Sequence, residues 1–147
     1  MDEHEIFIEQ KRKHYWAMTA RLMKALSTRE GLQTVKIGRG KIDAAGDDLF
    51  DGVFLRQDGK KVAVMDFAPH HSTGLLIKGI TNSLRQLQSS SVEHVYIILY
   101  GASEPLERAF EEAISIATPE LRKRISFTKC PLDKIEETAA TIPIPSN

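Results

Sequence analysis

Apolar residues recur at helical spacing in long stretches of the chain, separated by runs that are typical of strands. The longest amphipathic stretch begins close to the N-terminus, and Ser103 is a suitable N-cap for a later helix that carries Pro105 in its first turn. The predicted helices are residues 3–27, residues 73–90, the segment after Ser103, a short turn from Thr118 and residues 132–140.

Between these helices lie five short stretches with strand character. They cover residues 32–37, 49–57, 60–68, 92–100 and 125–128. The order α-β-β-β-α-β-α-β predicts an α/β fold, with a mixed sheet of antiparallel and parallel strands flanked by helices. We expect a single domain over residues 1–140, followed by a tail at 141–147 that two prolines keep extended.

The Asp58-Gly59 pair predicts a hairpin between the second and third strands. Flanked by two strand-like runs, this dipeptide is typical of a two-residue type I′ turn, and such a turn sets the pairing register. The register brings three pairs of residues opposite each other: Leu55 with Val62, Val53 with Val64, and Asp51 with Asp66.

Two directly opposed carboxylates repel each other, because their Cβ atoms lie about 5 Å apart. Three arrangements would offset the repulsion between Asp51 and Asp66. The pair is exposed to solvent, or one member has a raised pKa, or a divalent cation lies between them. Mg²⁺ suits the last arrangement, since it takes one or two protein carboxylates and completes its shell with water and substrate phosphate.

Charge is balanced overall but unevenly distributed. The 147 residues contain 20 basic and 20 acidic side chains, yet residues 1–41 carry a net charge of +4 and residues 42–68 one of −3. The acidic residues of the second segment are all aspartates, which favours either a solvated loop or a site for a hard cation. A neutral total argues against binding nucleic acid by bulk electrostatics, although a bound cation would change the sign of the acidic segment.

Other features narrow the class of protein. No apolar run approaches the roughly 20 residues of a membrane-spanning helix, and no signal peptide is visible, so we expect a cytoplasmic protein that does not associate with membranes. The single cysteine, Cys130, excludes an internal disulfide.

The element order and the two aspartates resemble the PD-(D/E)xK nuclease superfamily, which includes restriction endonucleases and archaeal Holliday junction resolvases. Phe50-Asp51 matches the first motif and Asp66-Phe67-Ala68 the second, and the resemblance covers residues 5–100. It implies a restriction endonuclease-like αβββαβ core, here with an extra C-terminal αβ unit. It also implies Mg²⁺ or Mn²⁺ bound by Asp51, Asp66, the Phe67 carbonyl and a glutamate of the first helix, for which Glu9 is favoured over Glu5.

The chain departs from this motif at Ala68, where the family has a lysine that orients or activates the attacking water. Three explanations stay open. Another lysine takes over the catalytic role, with Lys78 favoured over Lys60 and Lys61; or the chain is an inactivated variant that a lysine at position 68 would restore; or the domain is a natural pseudonuclease.

Four basic residues are candidates for contacts with nucleic acid. His70 and His71 directly follow the second motif, and Arg39 and Lys41 belong to a glycine-rich turn. Each also fits a simpler interpretation, as a solvated loop or turn residue.

We therefore expect a metal-dependent endonuclease, or an inactivated form of one, that acts on DNA or RNA phosphodiesters, with DNA favoured. The alternative is a catalytically inactive module of the same fold that binds protein or nucleic acid. A homodimer is compatible with either function.

Overall fold

The computed structural model describes residues 2–89 and 91–145. The helices are α1 (Glu3–Ser27), α2 (Thr73–Gln88), α3 (Glu104–Ser115), α4 (Pro119–Arg122) and α5 (Ile135–Thr141), and a 3-10 turn covers Gly46–Leu49. The strands are β1 (Leu32–Ile37), β2 (Gly52–Arg56), β3 (Lys61–Phe67), β4 (His94–Tyr100) and β5 (Ile125–Cys130). Residue 90, the predicted end of the second helix, and residues 146 and 147 of the predicted tail lie outside the described residues.

The strands form one mixed sheet in the order β1-β2-β3-β4-β5. β1, β2 and β3 are antiparallel neighbours, whereas β3, β4 and β5 run parallel because α2 and then α3 with α4 carry the chain back between them. This confirms the predicted α/β class with helices flanking a mixed sheet.

The sheet separates two apolar clusters. On one face, Met65, Phe67 and Ile97 pack with side chains of α2 and α3. On the other, Val64 and Ile98 pack with α1 and α5. The protein thus has three layers, and β3 and β4, which carry side chains into both clusters, lie at its centre.

The hairpin register differs from the prediction by one residue. Gly52 lies opposite Val64, Val53 opposite Ala63, and Phe54 opposite Val62. The Gly59 N–H donates to the Arg56 carbonyl and the Arg56 N–H to the Lys60 carbonyl, so the loop has three residues rather than two. Gly59 has a φ of +86°, as a left-handed residue that follows a type I turn does. The Asp-Gly dipeptide fits both loop types, which is why the predicted register is wrong.

The shift removes the predicted opposition of Asp51 and Asp66. Asp51 lies one residue before β2, where its backbone N–H donates to the Val64 carbonyl and its carbonyl accepts from Gly38 N–H. Asp51 therefore stays attached to β3, but its partner across the ladder is not Asp66.

The end of the described chain packs against the face of the sheet that carries α1. Ile142 and Ile144 are buried there, and the Arg29 guanidinium donates to the carbonyls of Ala139 and Ile142 at 3.0 and 2.7 Å. None of the helices in residues 2–89 and 91–145 combines the length and the apolar character needed to cross a membrane.

Candidate functional site

Asp51 and Asp66 meet in a cleft at the end of the sheet. Only 8% of Asp51 and 3% of Asp66 is exposed. The cleft has a volume of about 290 Å³, and its polar lining includes Tyr15, Arg39 and His71. We call it the Asp cleft. The predicted proximity of the two aspartates is thus correct, although the predicted ladder register is wrong.

Asp51 is held by two backbone N–H groups. Its Oδ1 accepts from Gly40 at 2.8 Å and its Oδ2 from Asp66 at 2.9 Å. Glycine is required at position 40 because a Cβ there would lie 2.4 Å from the Leu49 carbonyl oxygen. Burial raises the pKa of Asp51 well above its usual range, and the nearby Asp66 charge raises it further, while the two N–H donors act in the opposite direction.

Asp66 is held by two tyrosines. The Tyr15 hydroxyl, from α1, donates to Oδ1 at 2.5 Å, and the Tyr100 hydroxyl, from the end of β4, donates to Oδ2 at 2.6 Å. Burial, followed by the negative charge of Asp66, raises the pKa of both hydroxyls. Both tyrosines therefore stay protonated at neutral pH and act as donors to the carboxylate.

Neither tyrosine belongs to the site that the sequence predicts. Tyr15 falls near the apolar face of the first predicted helix, and Tyr100 ends a near-continuous apolar strand. One signal was available, because a buried tyrosine hydroxyl needs a hydrogen-bond partner and Asp66 is one of few buried acceptors.

His71 belongs to the Asp cleft as a neutral side chain. Its Nδ1 accepts from the Ala68 N–H at 2.8 Å, and its ring meets the Tyr15 ring edge-on with centroids 4.7 Å apart. Burial and the nearby His70 lower the pKa of His71 to about 4, against a smaller opposing effect of Asp66. At neutral pH the ring proton is therefore on Nε2.

The other predicted basic residues occupy different positions. Arg39 lines the Asp cleft, and its guanidinium lies 4.0 Å from the centroid of the Trp16 ring. His70 is exposed and lines a neighbouring cleft instead. Lys41 is exposed on the glycine-rich turn, where its backbone N–H donates to the Asp48 carbonyl.

Lys78, the favoured replacement for the missing lysine, lies away from the Asp cleft. Lys78 is exposed on α2 and forms an ion pair with Asp43. Among the described residues that line the Asp cleft there is no lysine. Lys36, on β1, donates to the Phe50 carbonyl one residue before Asp51, yet it does not line the cleft. Ala68 is itself buried.

Glu9 does not join the aspartates either. It lies exposed on α1, beside a depression that it lines with Glu5, Arg12 and Trp16. Over residues 2–89 and 91–145, no three His, Cys, Asp or Glu side chains are grouped so as to hold a metal ion. Glu9 lies away from Asp66 because Tyr15, and not Glu9, occupies the face of α1 that meets Asp66.

A divalent cation in the Asp cleft would compete with hydrogen bonds that the carboxylates already form. All four oxygens of Asp51 and Asp66 already accept a hydrogen bond from within the protein. Phe67 lines the cleft, but its side chain belongs to the apolar cluster under α2. No third acidic side chain joins the pair in the described part of the chain, so a cation there would complete its shell with water and substrate oxygens.

Comparison of the chain with family models, with curated proteins and with solved structures finds no match. The functional proposal therefore depends on the geometry of the Asp cleft and its surroundings. Two features of the site bear on its function. Every carboxylate oxygen of Asp51 and Asp66 already accepts a hydrogen bond, and basic side chains lie in and near the cleft.

Proposed function

We propose that the protein is an inactivated nuclease, a domain with nuclease-like layout that binds nucleic acid without hydrolysing it. One observation carries the proposal: position 68, where the resemblance to PD-(D/E)xK nucleases implies a lysine, is a buried alanine beside an aspartate enclosed by Tyr15 and Tyr100. Binding is retained in this proposal, and the chemistry is lost.

Loss of catalysis follows from the environment of Asp66. A cation would have to compete with two short hydrogen bonds from hydroxyl groups, and bonds to a charged acceptor are worth about 1.5–3 kcal/mol each. Ala68 has no group that could orient water or offset the charge that develops on a phosphate. Arg39, whose guanidinium lines the cleft, has hydrogen-bond donors and no acceptor atom, so it could bind a phosphate but not activate a water.

Basic side chains near the Asp cleft support nucleic-acid binding. Arg39 is exposed at the cleft, and Lys41 is exposed two residues further along the same turn. Lys11, His14 and His70 line the neighbouring cleft. Such side chains bind phosphates with little dependence on sequence, and they make affinity fall as salt rises. DNA is the favoured partner.

The test is a binding and cleavage assay on the intact chain. Fluorescence anisotropy with a DNA duplex at low salt should show binding, while plasmid and branched DNA stay uncut with Mg²⁺ or Mn²⁺. Arg39→Gln and Lys41→Gln should each weaken binding and lower the salt slope by about one phosphate contact. Lys123→Gln is the charge-matched control, since Lys123 is exposed just before β5, at the other end of the parallel strands.

Two outcomes would contradict the proposal. Cleavage that disappears in Asp51→Ala would mean that the Asp cleft is active. Absence of DNA binding by the folded chain at low salt would favour the alternative, a module that binds a protein partner.

A metal-dependent endonuclease is the second candidate, and the proximity of two buried carboxylates favours it. Two buried carboxylates share one cleft, and a cation would relieve their repulsion. In that case calorimetry should detect Mn²⁺ binding that Asp51→Ala abolishes, and Ala68→Lys should increase plasmid cleavage. No heat at millimolar Mn²⁺ would exclude this candidate.

A further inference from the structure

We propose that a second cleft binds an organic anion with an apolar body, of the size and chemistry of a medium-chain carboxylate. We call it the apolar cleft. It lies between the N-terminal half of α1, the loop after β3 and the end of β4, and has a volume of about 380 Å³. This inference goes beyond nucleic-acid binding and does not depend on it.

The walls of the apolar cleft are almost entirely apolar. Its floor consists of Met18, Ala68 and Tyr100, all buried in the fold. Phe7 and Leu132 form its rim and are 53% and 51% exposed. Two large apolar side chains exposed beside an apolar floor lose contact with water when an apolar body fills the space between them.

The charges around the apolar cleft all have one sign. Within the described part of the chain, no Asp or Glu lines it, whereas Lys11, His14 and His70 do. Lys11 Nζ lies 4.5 Å from the centroid of the Phe7 ring, at the rim. Burial and the positive charge of Lys11 lower the pKa of His70, so at neutral pH the charge at the rim is that of Lys11, with no Asp or Glu among the described lining residues. An anionic group therefore complements the rim.

A nucleobase suits this cleft less well than an aliphatic chain. The floor of the cleft has one polar side-chain group, the Tyr100 hydroxyl, and that hydroxyl is already bonded to Asp66. The hydrogen-bonding edge of a base would find too few partners and would be desolvated at a cost. An acyl chain has no such requirement.

Ala68 lines the apolar cleft and is also the position at which the sequence departs from the nuclease motif. Its small side chain forms part of the floor, and a larger residue there would project into the space that the ligand needs. The same alanine that departs from the nuclease motif thus leaves room for the apolar body.

Isothermal titration of the intact chain with octanoate and with octylammonium tests the proposal. These probes share one aliphatic body and differ in the sign of their charge. Octanoate should bind once per chain, and octylammonium at least tenfold more weakly. Lys11→Gln should reduce octanoate affinity several-fold and leave octylammonium no weaker.

Two variants place the binding in this cleft. Ala68→Leu should weaken octanoate at least tenfold, and Ala140→Leu, on the exposed side of α5, is its matched control. Since Ala68→Leu places a larger side chain in a buried site, Phe7→Ser serves as a second variant that alters only the exposed rim. It should also weaken octanoate.

Three results would overturn the proposal. They are no octanoate binding at millimolar concentration, equal affinity for the two probes, and undiminished octanoate binding in Phe7→Ser. Lys123→Gln should leave octanoate affinity unchanged, because Lys123 is exposed and does not line the apolar cleft.

Discussion

The two aspartates of the Asp cleft differ in the donors that surround them. Asp66 receives hydroxyl groups from Tyr15 and Tyr100, whereas Asp51 receives two backbone N–H groups. Both are buried, and their charges oppose each other. The pKa of Asp51 is raised as a result. This is the second of the three arrangements expected for opposed carboxylates, in which one member of the pair has a raised pKa.

Removal of one hydroxyl donor should destabilise the fold. Tyr100→Phe leaves a buried Asp66 oxygen without its 2.6 Å partner, so we expect the free energy of unfolding to fall by about 1–3 kcal/mol. Urea denaturation measures the change. Tyr96→Phe is the control, because its hydroxyl donates to the Pro143 carbonyl at 3.2 Å and leaves no charged group behind. Equal losses in the two variants would mean that the bond to Asp66 has no special role.

The raised pKa of Asp51 predicts a dependence of stability on pH. Above about pH 4 the unfolded chain releases this proton while the native state keeps it, so native stability falls as pH rises through the folded pKa. The slope is at most about 1.4 kcal/mol per pH unit. In Asp51→Asn this contribution should vanish, and urea titrations between pH 4 and 8 should show a flatter profile.

Asp133→Asn provides the control for that profile, since Asp133 is exposed before α5. It should reproduce the wild-type dependence on pH. A profile in Asp51→Asn as steep as that of the wild type would show that Asp51 is ionised in the native state.

The Asp58-Gly59 dipeptide of the hairpin is compatible with a loop of two residues and with one of three. Its register places Val53 in the apolar cluster under α2, while Val62 and Val64 face α1. The predicted register would have placed Val53 and Val64 on one face. Packing on both sides of the sheet therefore selects the three-residue loop, because a shift of one residue moves every side chain of the strand to the other face.

Gly59 should be the sensitive residue of that loop. Gly59→Ala places a Cβ at a φ of +86°, and we expect it to cost about 1 kcal/mol of stability in urea denaturation. Gly74→Ala is the matched control, because Gly74 lies in the first turn of α2 with its nearest neighbouring atom 4.0 Å from the added Cβ. A negligible effect of Gly59→Ala would contradict the left-handed backbone conformation at Gly59.

At the scale of the whole molecule, residues 142–144 close the second apolar cluster. Ile142 and Ile144 follow α5 into the cluster beneath α1, and Arg29 binds the carbonyls around them. Residues that the sequence predicts as an extended tail thus cover the core as far as they are described.

Truncation of Ile144 should therefore destabilise the whole domain. Ile144→Ala removes a side chain that is only 6% exposed, and we expect thermal or urea unfolding to show a loss of about 2 kcal/mol or more. Ile116→Ala removes the same atoms from a side chain that is 83% exposed, and should change stability by less than about 0.5 kcal/mol. Similar values for the two would show that the end of the chain is not part of the core.

The sequence by itself determined the elements of this protein. Helix α1 and strand β1 have the predicted bounds, and Ser103 caps α3 as expected, because periodicity and capping depend on residues that are close along the chain. The sequence pattern also predicted that Asp51 and Asp66 lie close together at one end of the sheet, as they do. Only the tertiary structure decided the hairpin register, the positions of Glu9 and Lys78 away from the Asp cleft, and the tyrosines that bind Asp66. Tyr15 and Asp66 are 51 residues apart in sequence, and their hydrogen bond exists only because α1 packs across the sheet.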